Sequence, residues 1–150
     1  MDEDNIFEVS NFLCRCYHWL GEQEQFSHQY IRFLIEERGS IETIRRESVH
    51  DTYYMMYHNH EIVGLLSMKD NKITKLYIEP TQHKKGLGRL LFKKAEAIIR
   101  QNGYQELQLI AFGDSSLFFY KAMGMKIVER KQHKIEQGAI VEGILLKKSL

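Results

Sequence analysis

Proline is nearly absent from this chain of 150 residues: Pro80 is the only one. No Pro/Gly/Ser-rich linker, internal repeat or low-complexity tract divides the sequence, so one domain spanning residues 1–150 is expected, a length at which folding buries roughly 70% of the unfolded chain's surface. Cysteine is scarce as well. Cys14 and Cys16 lie one residue apart in FLCRCYHW, about 200° apart around a helix axis, and are poorly placed to bridge each other. No second Cys/His pair stands at zinc-site spacing, and the HNH at His58–His60 has no carboxylate cluster beside it, so no metal is expected. Charge of one sign is lacking too, the formal net charge being +1, which points to no polyanionic partner. No run approaches the ~18 apolar residues of a membrane helix, and the start, MDEDNIFEVS, is acidic where a secretory signal is basic. The expectation is a soluble cytoplasmic protein with no membrane and no nucleic-acid partner.

What is present is a change of period. The first third reads as helices: Phe7, Leu13, Tyr17 and Leu20 in a loose helical pattern ending at Gly21, a second helix capped by Ser27 and running toward Gly39, and a short third segment, Ile41–Glu47. From Tyr53 the runs TYYMMYHN, EIVGLLSM and ITKLYIE, separated by short polar turns, predict a three-stranded antiparallel meander. Leu87, Leu90, Leu91, Ala95, Ile98 and Ile99 then recur at helical spacing up to Gly103. ELQLIAF follows as a strand expected to lie parallel to ITKLYIE, because a full helix separates the two. A short helix over SSLFFYKAM and two more strands, MKIVERK and AIVEGILLK, with a turn at QGA, complete an α/β (α+β) domain with a mixed, mostly antiparallel sheet.

The chemistry concentrates in EPTQHKKGLGRLLFKKAE. Pro80 ends a strand, and Gly86 and Gly88 let backbone approach a ligand just where a helix begins, so the exposed amides of its first turn face an anion with Lys84, Lys85 and Arg89 around them. Three alternatives stay open on the residues alone. They are a diphosphate cradle, a plain glycine turn with a solvated basic rim, and a basic stripe of Lys85, Arg89 and Lys93 for nucleic acid. It is not a Walker loop, since no Gly-Lys-Ser/Thr ends it, and Leu91 interrupts a dinucleotide GxGxxG.

The run LYIEPTQHKKGLGRLLFKKAE resembles the acyl-CoA pyrophosphate loop of the GNAT superfamily of N-acyltransferases, and LFFYKAMGMKIVER is similar to that superfamily's second signature. The likeness is good from Tyr53 onward and looser over the helical first third. It implies a GNAT-like sheet of six to seven strands with a parallel central pair and about four helices. It implies acetyl-CoA as cosubstrate, with backbone of Leu76, Tyr77 and Ile78 pairing with the pantetheine arm, amides from His83 through Lys84, Lys85, Gly86, Leu87, Gly88 and Arg89 holding the pyrophosphate, Phe119 beside the cofactor, and Tyr120 near the thioester sulfur as the catalytic group. The partner is an unidentified amine acceptor, small molecule or protein, with Phe26, Tyr30 and Phe33 as lining candidates, and a homodimer is a further expectation.

The chemistry of Tyr120 suits that role: with a thiol near pKa ~8.5 and a tyrosine near ~10, proton donation to the leaving sulfur is uphill by only about 2 kcal/mol. Several positions depart from the pattern. His83 stands where Gln or Arg is usual, Met125 where Phe is, and Thr74 where some relatives place a general-base glutamate. Glu79, His58 or water are the bases that remain. An acyl-enzyme through Cys14 or Cys16 is not expected, because both are far in sequence from the thioester site. The alternative function is a catalytically weak acyl-CoA-binding or protein-interaction module on the same fold.

Overall fold

The computed structural model describes residues 1–135 and 138–150. Helix α1 spans Glu3–Glu24, with the Asp2 side chain accepting the Asn5 amide at 2.8 Å as its N-cap. Ile6–Ser10, the only stretch able to supply an additional first strand, is part of this helix. The helix also runs past Gly21, where the sequence pattern predicts its end. Gly21 is buried instead, and a Cβ there would come within 2.7 Å of Ile31 Cδ1, so the glycine serves a close helix crossing. Helix α2, His28–Phe33, starts on Ser27 as expected and continues as a π-helical turn, Leu34–Arg38, before α3 at Ile41–Glu47, which Ser40 caps.

Strands β1 (Thr52–His58), β2 (Glu61–Lys69) and β3 (Lys72–Ile78) form the antiparallel meander. Asn59 and His60 both take positive φ in the β1–β2 turn, so the two imidazoles of the HNH do not share an extended face. After β3 come a 3₁₀ turn at Pro80–Gln82, α4 (Leu87–Gln101), β4 (Glu106–Phe112), α5 (Leu117–Ala122), β5 (Lys126–Lys134) and β6 (Ile140–Ser149). The QGA turn expected between the last two strands falls partly on Gln137, outside the described residues. The described strands form one six-stranded sheet in the order β1-β2-β3-β4-β6-β5, with β3 and β4 its parallel central pair.

Two apolar clusters cover the two faces. Against one face lie Ile6, Val9, Phe12, Leu13 and Tyr17 of α1 with Tyr30, Leu34 and Ile44. Against the other lie Leu91, Phe92, Ala95 and Ile99 of α4 with Leu117 and Tyr120 of α5. Each large side chain so buried contributes about 1.5–3 kcal/mol. Leu90, read as part of the apolar pattern, is exposed.

Two irregularities position the site. Thr74 has no partner in the β2–β3 register, which steps from Ser67↔Lys75 to Met68↔Ile73; this bulge carries Ile73 to the α4 face and Lys75 to the α1 face. The parallel pairing of β3 with β4 consists of Lys72↔Gln108 and Ile73↔Leu109, and beyond it the two strands part.

Candidate active site

The parting of β3 and β4 opens a cleft of about 570 Å³, lined by Thr74–Ile78, Ile110–Phe112, the 3₁₀ turn with His83 and Lys84, the α5 residues Phe119 and Tyr120, and Cys16, Trp19, Tyr30 and Arg38 from the helical first third. Glu79 donates its amide to Val63 O at 2.8 Å, and by antiparallel alternation Tyr77 also directs its backbone at β2, so the backbone N–H and C=O of Leu76 and Ile78 face the gap. Tyr77 contributes its ring, edge-on to Tyr17 at 5.3 Å on the α1 face. The Ile78 carbonyl is already engaged: His83 Nε2 lies 2.9 Å from it and Cys16 Sγ 3.8 Å. His83 also meets Trp19 edge-on at 4.7 Å. This imidazole therefore ties the loop to the end of β3 and to α1, a contact that depends on residues more than sixty positions apart.

Beyond His83 the chain makes a tight bend. Lys84 and Gly86 have φ of 65° and 81°, and the left-handed conformation explains the glycine at 86, where a Cβ would meet nothing within 4 Å. Gly88 is different: a Cβ would sit 3.4 Å from Phe119, so its smallness lets the first turn of α4 pack against α5. Gly86 is the N-cap of α4, and no side chain caps the helix, which leaves the amides of Leu87, Gly88 and Arg89 without protein partners among the described residues. Lys84, Lys85 and Arg89 are exposed around them, Lys85 touching Gln82 at 3.0 Å. Lys85 precedes the helix, so only Arg89 and Lys93 share a helical face and the three-residue basic stripe does not form.

Tyr120 lines the cleft from α5, only 8% exposed, packed on Phe119 and Phe92, and its hydroxyl makes no hydrogen bond among the described residues. Burial, with Tyr77 adding to it, pushes its phenol well above the ordinary tyrosine range. The side chain holds its proton throughout the neutral range.

Neither side-chain base named from the sequence lines the cleft. His58 is at the exposed end of β1, and Glu79 is held by Arg15 at 3.1 Å. Of the aromatic acceptor candidates, Tyr30 lines the cleft while Phe26 and Phe33 pack against it, at ring separations of 4.6 and 6.2 Å. Thr74, where a base was sought, lies 2.9 Å from Asp51 Oδ2 and 2.7 Å from Ser67 Oγ.

Sequence reasoning missed Cys16, Lys75 and Arg38. Cys16 is far from the loop in sequence but adjacent in space, which corrects the expectation drawn from sequence distance. Burial, and then the Glu79 carboxylate, push its thiol up to about 12, with Arg15 opposing, so it is a poor nucleophile. Cys14, less buried, is raised by burial to a lesser degree. At pH 8 a thiol-specific reagent is expected to label Cys14 well before Cys16, read by peptide mass spectrometry; equal rates would contradict the burial of Cys16. Lys75 is buried on the α1 face with its ammonium on Glu47 Oε2, and burial lowers its pKa against the pull of that carboxylate. A lone lysine between apolar residues in ITKLYIE was the one available signal.

The acetyltransferase (GNAT) domain family matches residues 22–138, and the chain belongs to that family of acetyltransferases. A GCN5-related N-acetyltransferase from Rhodopseudomonas palustris is similar over 98% of this chain and 91% of its own, with TM-score 0.87 and 17% identity. The PaiA N-acetyltransferase of Thermoplasma acidophilum, solved in complex with coenzyme A, is similar over 100% and 96%, with TM-score 0.72 and 20% identity. A GNAT family acetyltransferase from Elizabethkingia anophelis with acetyl-CoA bound aligns over 75% and 85%, with TM-score 0.61 and 18% identity. No curated protein sequence matches the chain. No helix among the described residues is long and apolar enough to cross a membrane, and no group of three or more metal-ligating side chains is found among them.

Proposed function

We propose that this single-domain chain transfers the acetyl group of acetyl-CoA directly to a primary amine within a ternary complex. The observation that carries the proposal is the parting of β3 from β4 after two register pairs, directly beside an uncapped helix N-terminus ringed by Lys84, Lys85 and Arg89. A pantetheine arm is an amide-bearing extended chain, and the Leu76 and Ile78 backbone in the gap offers it strand-like partners. A diphosphate fits the free amides of Leu87, Gly88 and Arg89, where each charge interaction is worth roughly 0.3–1 kcal/mol and up to ~2 when partly buried. The CoA bound by the Thermoplasma acidophilum relative supports the same occupant here.

In the reaction, the amine nitrogen bonds to the thioester carbonyl carbon, the carbon–sulfur bond breaks, and the sulfur leaves as CoA thiolate. The excess proton on nitrogen passes to water in the cleft. Because burial raises its pKa, Tyr120 suits donating a hydrogen bond to the departing sulfur better than surrendering its proton outright, a transfer now uphill by more than the ~2 kcal/mol of ordinary phenol and thiol. A second reading, an acyl-CoA-binding module with weak or no catalysis, is favoured by one observation: Glu79 and His58 both lie off the cleft lining.

Calorimetry with acetyl-CoA tests the binding half. Wild type is expected to bind, and Gly86→Asp, which sets a carboxylate beside the free amides, to bind about tenfold more weakly, or ~1.4 kcal/mol. No binding by wild type at high micromolar concentration would remove the proposal. Turnover across a broad amine panel decides between enzyme and module.

A further inference from the structure

We infer that the acceptor amine also carries a carboxylate, and that Arg38 is the residue that binds it; this rests on the acetyl-transfer function proposed above. Arg38 ends the π-helical turn after α2 and reaches the cleft on the α1 face of the sheet, whereas the loop at Lys84–Arg89 opens α4 on the opposite face. The two positive regions therefore serve different parts of what the cleft holds. The phosphates of a CoA have Lys84, Lys85 and Arg89, and Arg38 lies on the acceptor side of the parting strands.

The surroundings of Arg38 are built for a charge that the protein itself does not neutralise by contact. Its guanidinium lies over the Phe112 ring, 5.2 Å from the centroid, a face that contacts the cation without neutralising it. Among the described residues no carboxylate comes within 4 Å of it, unlike Lys75, the other buried cation on this face, whose ammonium is on Glu47. Glu47, whose charge bears on Arg38, accepts at Oε2 from the Lys75 ammonium and the Tyr53 hydroxyl instead. Beside the guanidinium the Tyr17 hydroxyl is fully buried and has no hydrogen-bond partner among the described residues. Burial works against the charge, but Tyr77, Tyr17 and Glu47 outweigh it and hold the group protonated.

A half-buried planar cation beside the Tyr17 hydroxyl, with no carboxylate on it among the described residues, is matched by a carboxylate, which it grips through two parallel hydrogen bonds. A neutral amine of the same shape would leave those donors desolvated and unpaired, so discrimination follows from the cost of the mismatch. Lys75 does not compete for the anion, since Glu47 already satisfies it.

The test uses the intact chain with acetyl-CoA and matched acceptors: α-amino acids, dipeptides and ω-amino acids of two to six carbons, each against its carboxamide. Acids are expected to exceed their amides in kcat/KM by about tenfold or more, chiefly through KM, and Arg38→Gln to bring that ratio within about threefold while acetyl-CoA affinity stays within about twofold of wild type. Arg38→Lys, which keeps the charge and loses the paired donors, is expected to recover part of the preference and guards against misreading a folding defect. Amides used as well as acids, no acid acetylated by a protein that binds acetyl-CoA, or an acid preference unmoved in Arg38→Gln would each overturn the inference and leave CoA binding standing. Failure of wild type to bind acetyl-CoA would remove both.

Discussion

Tyr120→Phe is expected to lower kcat by about 10²-fold while the acetyl-CoA affinity changes by less than about twofold. The hydroxyl meets no hydrogen-bond partner among the described residues, so the ground state loses no such bond when it is removed. On the proposed role, what is lost is a donor to the sulfur as negative charge develops on it, an interaction worth about 2.7–4 kcal/mol. The ring itself remains, and its packing on Phe119 at 5.3 Å and Phe92 at 6.4 Å is untouched. Stability is therefore expected to stay within about 0.5 kcal/mol of wild type, because the substitution opens no cavity. Steady-state rates, calorimetry and urea denaturation measured together separate these effects. An unchanged kcat would strip Tyr120 of its role; a loss of rate matched by loss of stability would make it a packing residue.

Glu47→Ala is expected to destabilise the fold by about 3 kcal/mol, the low end of what breaking a buried ion pair costs, since the Glu47 side chain is partly exposed. The Lys75 side chain is 1% exposed and would keep its ammonium with no carboxylate on it. Replacing both members, Glu47→Leu with Lys75→Met, is expected to recover most of the loss, because apolar side chains need no compensating charge. The pH dependence distinguishes this mechanism from a simple cavity. Burial lowers the folded pKa of Lys75 below the ordinary lysine value of 10.5, so between that lowered value and 10.5 the unfolded chain binds more protons and stability rises with pH. Removing Glu47 takes away the group that holds the pKa up, and the rise is expected to begin at lower pH than in wild type. Urea midpoints from pH 7 to 10 check this, and a loss under about 1 kcal/mol would show the pair to be a solvated contact.

Much of the architecture was legible because it rests on local rules. Ser27 announces a helix start through a side chain that reaches the amide three residues on, and the cap forms; Ser40 caps α3 by the same local rule. The meander follows from β-rich runs separated by two-residue turns, and the parallel pair follows from the length of the intervening helix. Gly21 misled because a glycine signals either a stop or a close contact, and only the position of Ile31 tells the two apart. The conformation of the HNH was likewise not local: Asn59 and His60 turn the chain, which depends on β1 and β2 pairing on either side of them.

The candidate site divides the same way. By itself the sequence determined the loop from Pro80 to Arg89, the helix it opens and the Phe119–Tyr120 segment, because strand end, glycine bend and helix start are consecutive and each is set by its neighbours. Only the tertiary structure decided that β3 and β4 part after Ile73, that the Thr74 bulge turns Lys75 toward Glu47, that His83 closes on Ile78 and Trp19, and that Cys16 and Arg38 enter the cleft. Those placements join residues tens of positions apart through burial and sheet register, which are properties of the whole packed chain.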